Sequence, residues 1–493
     1  IRDRVSAELI YDSNATAELG EFGYGWAHNY ETRILDMKDG TVRYYVSPTG
    51  FYTFLAEDYE SKAEYKMDAN GYLYLDISQI PKKQSFKCLN ENKAEYELKR
   101  NAQGAYTLTD AAGNTTRFDE KGNLTTMENK EGKALTIKRT DKSVTVTDKV
   151  SGRHLTYTLN ADKMIESVKD GTGRTAYFYY DDDKCLKQFT NALGESTYYT
   201  YDKKHRILTV TGDDNVTYVT NTYVMGEDEK ADKADAYKGG RVKSQKDALG
   251  NVTKFSYKES DEDGSLTTTV TTRNGQTKKT VTDAYGNITC QTNEAGDETL
   301  MTYDEDDNQT AVNNANGYST VYRYDSNGNM TCIENSLMNG DKAETVMTYD
   351  SDGNMLTMKN CSGESMRTTY YDNGLVHTVT DQNQNTITYT YNDNGQLLSE
   401  TDANQRKTEY SYDKGDLVSV KDKNGNVTTY TYNKQGQVEK TTIKDTLTGE
   451  TYTTTTLYDE LGRTDTVMDT EGGCTFYEYD CRGNLTAKTE PAG

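Results

Sequence analysis

From Thr386 to Tyr391 the chain reads Thr-Ile-Thr-Tyr-Thr-Tyr, an alternation that puts Tyr389 and Tyr391 on one side of an extended strand. Asn392-Asp393-Asn394-Gly395 then reverses direction. An Asx side chain caps such a turn, and a glycine three places on accepts a left-handed backbone. Gln396 to Glu400 returns as a shorter strand, Asp402-Ala403-Asn404-Gln405 turns again, and Lys407 to Tyr412 opens the next unit. The pattern predicts a unit of two antiparallel strands and two turns.

The unit recurs. Tyrosine pairs stand at Tyr199/Tyr201, Tyr322/Tyr324, Tyr389/Tyr391, Tyr410/Tyr412, Tyr430/Tyr432 and Tyr477/Tyr479. Tyr391, Tyr412 and Tyr432 are 21 and 20 positions apart. The full form is tyrosine, Asp or Asn, two free positions and glycine. It appears as Tyr324-Asp325 to Gly328, Tyr349-Asp350 to Gly353, Tyr391-Asn392 to Gly395, Tyr432-Asn433 to Gly436, Tyr458-Asp459 to Gly462 and Tyr479-Asp480 to Gly483. A fixed period of this size marks a stacked repeat architecture. Same-face tyrosines on successive units are expected to form a structural ladder by stacking or diagonal contact, and the turn glycines to have positive φ.

The spacing stretches to 25 positions between Tyr324 and Tyr349, where Asn335 to Gly340 supplies a longer tip, and to 26 between Tyr432 and Tyr458, where Thr446 to Gly449 does the same. Gly226 to Ala234 is polar and helix-compatible, and reads as an inserted surface loop around 222–240. Residues 1–175 have the same texture with looser punctuation, as at Asp68-Ala69-Asn70-Gly71-Tyr72. They read as an irregular β region that caps the array, with 176–493 as the regular array.

Composition changes the picture in two respects. Of 493 residues only 33% are hydrophobic, and 41 Tyr stand against 9 Phe and 1 Trp, so the sheet faces are expected to be half-polar. The net charge of −23 argues against nucleic-acid binding, which needs basic patches. No apolar run reaches the roughly 18–20 residues of a membrane-spanning helix. The chain begins at Ile1 in mid-pattern and ends at Gly493 just after a repeat, which reads as a piece of a longer polypeptide.

Chemistry is sparse. The seven cysteines form no CxxC, and His28, His154, His205 and His377 are scattered, so neither a zinc site nor a catalytic set is signalled. The acidic clusters at Asp181-Asp182-Asp183, Asp261 to Gly264 and Asp304 to Asp307 lack the calcium-loop pattern and coincide with turns. No nucleotide or hydrolase motif occurs. No residue is assigned to catalysis, a cofactor or a metal. Trp26, in Gly23-Tyr24-Gly25-Trp26, is expected to be an amino-terminal packing anchor, with a sugar-stacking platform as the alternative.

The units from Tyr180-Asp181 to Tyr479-Asp480-Cys481-Arg482-Gly483 resemble the YD repeats of the RHS (rearrangement hotspot) family. They alternate with companion turns such as Asp247-Ala248-Leu249-Gly250-Asn251 and Asp422-Lys423-Asn424-Gly425-Asn426. Leu19 to Tyr30 resembles the segment that precedes the repeats in bacterial members. The resemblance implies an all-β fold: a long antiparallel sheet of hairpins spiralling into a partial or complete hollow shell. It also implies a secreted or cell-surface, toxin-related protein whose shell encloses a carboxy-terminal effector. A self-cleavage motif known from relatives does not occur before Glu490-Pro491-Ala492-Gly493. The leading expectation is a non-enzymatic scaffold. The alternatives are a glycan-binding surface or cell-wall module using exposed tyrosines and Trp26, and a polysaccharide-cleaving enzyme.

Overall fold

The computed structural model describes residues 5–47, 50–67, 73–90, 96–224, 240–336 and 341–490. The turn at 68–72, the loop at 225–239, the tip at 337–340 and the final 491–493 lie outside the described residues. Thr, Tyr and Val fill the alternating segments, as pleated half-buried surfaces favour. The one helix among the described residues is Tyr59–Lys62.

One antiparallel sheet of 40 strands dominates. It starts with Arg33–Asp36, Thr41–Tyr45 and Phe51–Ala56, continues through Gln84–Cys88, and then adds each strand beside the last as far as Leu485–Thr489. A separate hairpin, Glu64–Met67 with Leu73–Asp76, is inserted before Gln84. At its start the sheet curls on itself: Arg33 bridges Asn123, and the Ile34 amide donates to the Gly122 carbonyl at 2.9 Å. Among the described residues no pairing joins Leu485–Thr489 to Arg33–Asp36, so the sheet as a whole is open.

The open sheet spirals, and its turns touch through hairpin tips. Arg153 pairs with Asp416, 263 residues away. Tyr218 meets Cys481 at the same separation of 263, with the Arg482 guanidinium 4.7 Å from its ring centre. Arg174 donates to the Glu460 carbonyl at 3.2 Å. The tips of the YD units in the later turn therefore rest on the companion turns of the earlier one. One circumference takes between 263 and 286 residues, depending on where along the sheet it is read.

Apolar burial is unevenly distributed. Phe54, Leu98, Phe118, Val144, Val146, Tyr157, Ile165 and Leu186 are fully buried, and the packed cluster extends to Ile207. Beyond Tyr223, Cys332 and Met347 are the only buried apolar side chains among the described residues. The later sheet is a wall without a packed layer. On the face that carries Tyr324 and Tyr349, the register from Ile288 to Leu417 presents mostly Tyr, Thr, Met, Val and Ile, with amides at Gln291, Gln309 and Asn335, and among the described residues Glu400 is its single charge. Met347, Met358 and Met366 stand in one row across three strands. Charge collects on the other face, where Arg323 and Lys342 both pair with Glu334.

Candidate functional site

Each YD tip is locked by its second residue. Asp325 accepts the amides of Asn327 and Asn329, both at 2.9 Å, and Gly328 sits at φ 78°. Asp350 and Gly353, Asn392 and Gly395, Asn433 and Gly436, Asp459 and Gly462, and Asp480 and Gly483 repeat the arrangement, with glycine φ between 72° and 83°. Glycine is not obligatory. Lys163, Lys184, His205, Asp307, Gln384 and Gln405 hold positive φ of 61–67° in equivalent turns.

The residue after the glycine, sixth in the unit, completes the lock, and its type follows the second. Where the second is Asp, the sixth donates: Asn329, Asn354 and Asn484 give Nδ2 hydrogens to the aspartates, and Arg463 gives Nε to Asp459 at 2.6 Å. Where the turn opens on Asn, its own Nδ2 donates and the residue four places on accepts, as in Asn392 to Gln396 and Asn360 to Glu364. The hydrogen bond from Asn329 holds the Asp325 carboxyl below the usual range, and Asn354 and Asn484 do the same for Asp350 and Asp480.

The tyrosines are tied to the main chain. Before each repeat tyrosine the register slips by a bulge, as between Arg323 and Tyr324. Tyr324 faces Met330, and the Met330 carbonyl accepts the hydroxyl of the next tyrosine, Tyr349, at 2.7 Å. Tyr432 reaches Leu417, Tyr458 reaches Val438, and Tyr479 reaches Thr464 by the same rule. Ring stacking does not form the ladder. Among the described residues the only ring pair that includes a repeat tyrosine from Tyr324 onward is Tyr371 with Tyr391, edge-on at 6.2 Å.

The amino-terminal strands Leu9–Tyr11, Leu19–Gly20, Gly23–Tyr24 and Trp26–His28 form a stopper against the inner face of the first turn. Trp26 is 8% exposed, packs edge-on against Tyr199, and donates Nε1–H to the Tyr201 hydroxyl at 3.0 Å. That hydroxyl donates in turn to the Leu186 carbonyl. Trp26 thus lies where no sugar can stack on it. Tyr11 donates to the His205 carbonyl and accepts the Ile207 amide, and Phe22 packs on Phe178. Gly23, at φ 92°, lies so close to the Lys184 carbonyl that a side chain would overlap it.

Polar groups fasten the stopper. Glu21 pairs with Arg139 of the sheet and lies 3.0 Å from His28 Nε2, while the Glu21 carbonyl accepts the Ile165 amide. Burial raises the Glu21 pKa, but the hydrogen bonds from His28 and Arg139 outweigh it and hold the carboxyl at about 2. Glu31 accepts the amides of Glu21 and His28, and burial pushes its carboxyl up. A cavity of about 190 Å³ beside them is lined by Leu19, Ala27, His28, Glu31, Arg33 and Val46.

Sequence separation concealed one further pairing: Cys185 Sγ lies 3.5 Å from His205 Nδ1, with burial pushing the thiol up to about 12. Such a thiol is a packing group, not a nucleophile. The acidic runs serve their own turns, with Asp304 taking the amides of Asp306 and Asn308.

A family profile described as Teneurin YD-shell matches residues 233–462. No curated protein matches in sequence. Among solved structures, the crystal structure of TcdB2-TccC3-TEV is 12% identical with a TM-score of 0.42, over 95% of this chain and 28% of that one. The crystal structure of TcdB2-TccC3-Cdc42 is 12% identical with a TM-score of 0.38, over 94% and 29%. The Photorhabdus luminescens Tc holotoxin pore is 13% identical with a TM-score of 0.35, over 91% and 28%. The chain spans less than a third of each of these. With YD hairpins alternating with companion turns along an open antiparallel sheet, and with that profile match over 233–462, the chain is similar to the YD-repeat shells.

Proposed function

We propose that this shell stretch is a non-enzymatic wall that encloses or presents an effector segment carried elsewhere on the same polypeptide, in a secreted or surface-exposed protein. The YD tyrosines and turn residues from Tyr324 to Gly483 serve this role structurally, with residues 1–175 as the capping region and 176–493 as the repeating wall. The observation that carries the reading is the contrast between the two ends. A packed stopper fills the first turn, while the later wall presents an uncovered inner face with Glu400 as its one charge among the described residues from Ile288 to Leu417. A charge-poor face rich in Met and Tyr accommodates polypeptide of varied sequence without demanding one complementary surface. Limited proteolysis of the natural full-length polypeptide tests it. The effector segment should resist cleavage in the native protein and become sensitive when Trp26→Ala loosens the stopper. Equal sensitivity in both would refute enclosure.

A second reading, glycan binding, is favoured by one observation. Tyr177, Tyr179 and Tyr198 are exposed, with Gln188 in register between Tyr179 and Tyr198, beside a cavity of about 730 Å³. Exposed tyrosine faces beside amide groups suit sugar stacking. A glycan array with Tyr179→Ala and Tyr198→Ala decides it, because these surface changes leave the fold intact.

A further inference from the structure

Along the seam between the two turns of the spiral, one stretch is built unlike the rest. Tyr370 and Tyr432, on either side of it, donate their hydroxyls to the preceding unit. The hydroxyls of Tyr391 and Tyr412, between them, make no hydrogen bond among the described residues. Two consecutive rungs are missing. The tips of these two units lie against the earlier turn, as their neighbours' tips do: Gly395 approaches Glu131, and Gly415 approaches Val150.

The hairpin at Tyr412 also departs from its neighbours. Its register closes at Asp413 and Asp416, leaving a two-residue tip with Lys414 at φ 47° and Gly415 at φ 88°. The shorter tip leaves a cavity of about 380 Å³ between the turns, lined by Lys133, Leu135, Arg153, Tyr412, Asp416 and Tyr432. Arg153 spans the gap, its two terminal nitrogens on the two carboxylate oxygens of Asp416, with Nη1 to Oδ1 at 2.9 Å. Both side chains are less than a third exposed. Paired, planar and partly shielded from water, this contact is stronger than an ordinary surface ion pair. A sheet unit that lacks its own rungs and borders a cavity is the easiest part of the wall to displace once that contact is lost.

We infer that this stretch is a lateral latch in the shell wall. The two turns part here before they part elsewhere along the seam, and Arg153–Asp416 is the contact that must break. The inference concerns how the wall opens. It rests on the enclosing role proposed above only for what would pass through.

Hydrogen exchange on the whole chain tests it, comparing Arg153→Asp, Asp416→Arg and the double exchange of the two charges. In each single variant the amides of 148–153 and 413–416 should exchange about tenfold faster, as loss of a charge-assisted pair implies. The tips at 360–364 and 469–473, away from the seam, should be unchanged, and the double variant should restore the native rates. Unchanged rates in the single variants, acceleration spread over the whole array, or failure of the double variant to restore them would each overturn the latch. Since no enclosed segment is needed for this measurement, the latch can fail while enclosure stands, and the reverse.

Discussion

The hydroxyl of Tyr349 donates to the carbonyl of Met330, the residue that faces Tyr324 across the preceding hairpin. The bond spans 19 residues here, 20 between Tyr458 and Val438, and 15 between Tyr370 and Met355. What repeats is the geometric relation. The bulge beside each tyrosine turns one carbonyl out of the ladder, and the next tyrosine satisfies it, so an otherwise orphaned acceptor becomes the joint between units.

Removing one such joint should therefore be measurable and local. Tyr370→Phe should cost about 1 kcal/mol, the usual net value of a hydrogen bond. Tyr412→Phe should cost far less, because its hydroxyl has no partner to lose. Urea melts of the two variants, read side by side, check this. Equal losses would show that the hydroxyls contribute nothing to the joint.

Gly436 and Gly472 separate backbone strain from contact across the seam. Both have positive φ, at 83° and 88°, so alanine at either should cost about 1–2 kcal/mol from the left-handed conformation. An added Cβ at Gly436 would also overlap the Arg153 guanidinium, whereas at Gly472 it meets open space. Gly436→Ala should be the more damaging, with faster hydrogen exchange at 148–153 as well as around its own hairpin. Gly472→Ala should perturb its own turn alone.

Trp26→Ala should cost about 3–5 kcal/mol, as large-to-small changes of buried aromatics do. The loss should appear as rapid exchange in the strands Leu186–Thr190 and Ser196–Tyr201, which Trp26 reaches through Tyr199 and Tyr201. The strands from Leu397 onward should keep native exchange. A uniform rise across the whole sheet would contradict a stopper that stabilises the first turn.

Glu21 should make the stopper acid-sensitive. Its carboxyl is held at about 2 in the folded chain, below the usual value near 4.3. A depressed carboxyl contributes stability above its unfolded pKa and loses it as pH falls through the folded one. The contribution, on the order of 2–3 kcal/mol, should be complete at pH 7 and fade between about pH 5 and 1. Trp26 is the only tryptophan, so its fluorescence reports the region directly. The stability gap between native protein and Glu21→Gln should be wide at pH 7 and nearly closed only at about pH 1, below the folded value. Glu31 is raised and has the opposite dependence, but it is present in both proteins.

The hairpins and their tips were legible in the sequence because period-2 alternation and turn chemistry are local. Asn392 and Gly395 stand five and two places from Leu397, and that span contains all the information the turn needs. The rungs were not legible, since the acceptor at Met330 is a main-chain carbonyl and any residue supplies one. The position after the turn glycine carries a subtler signal: Asn329 after Asp325 and Gln396 after Asn392 reveal a pattern only when donors are matched to acceptors. The tyrosines are joined through their hydroxyls and not by the ring stacking their spacing suggests, because the bulge offers most of the hydroxyls a partner that a flat ladder would not. Arg153 and Asp416 meet only because a sheet closes one circuit between them, and no local pattern encodes a circumference.

That circumference makes the number of units between Arg153 and Asp416 a matter of phase. Hairpins lie about 10 Å apart along the wall, two strand spacings, so deleting one whole unit would advance every later tip by one place over the turn beneath. Arg153 would then face the tip that begins at Asn433, which brings an amide where a carboxylate is required. Lengthened tips such as 445–450 leave the count alone and are harmless to it. The array behaves like a gear whose teeth can vary in length but not in number, and that restricts how such a chain can gain or lose repeats by recombination.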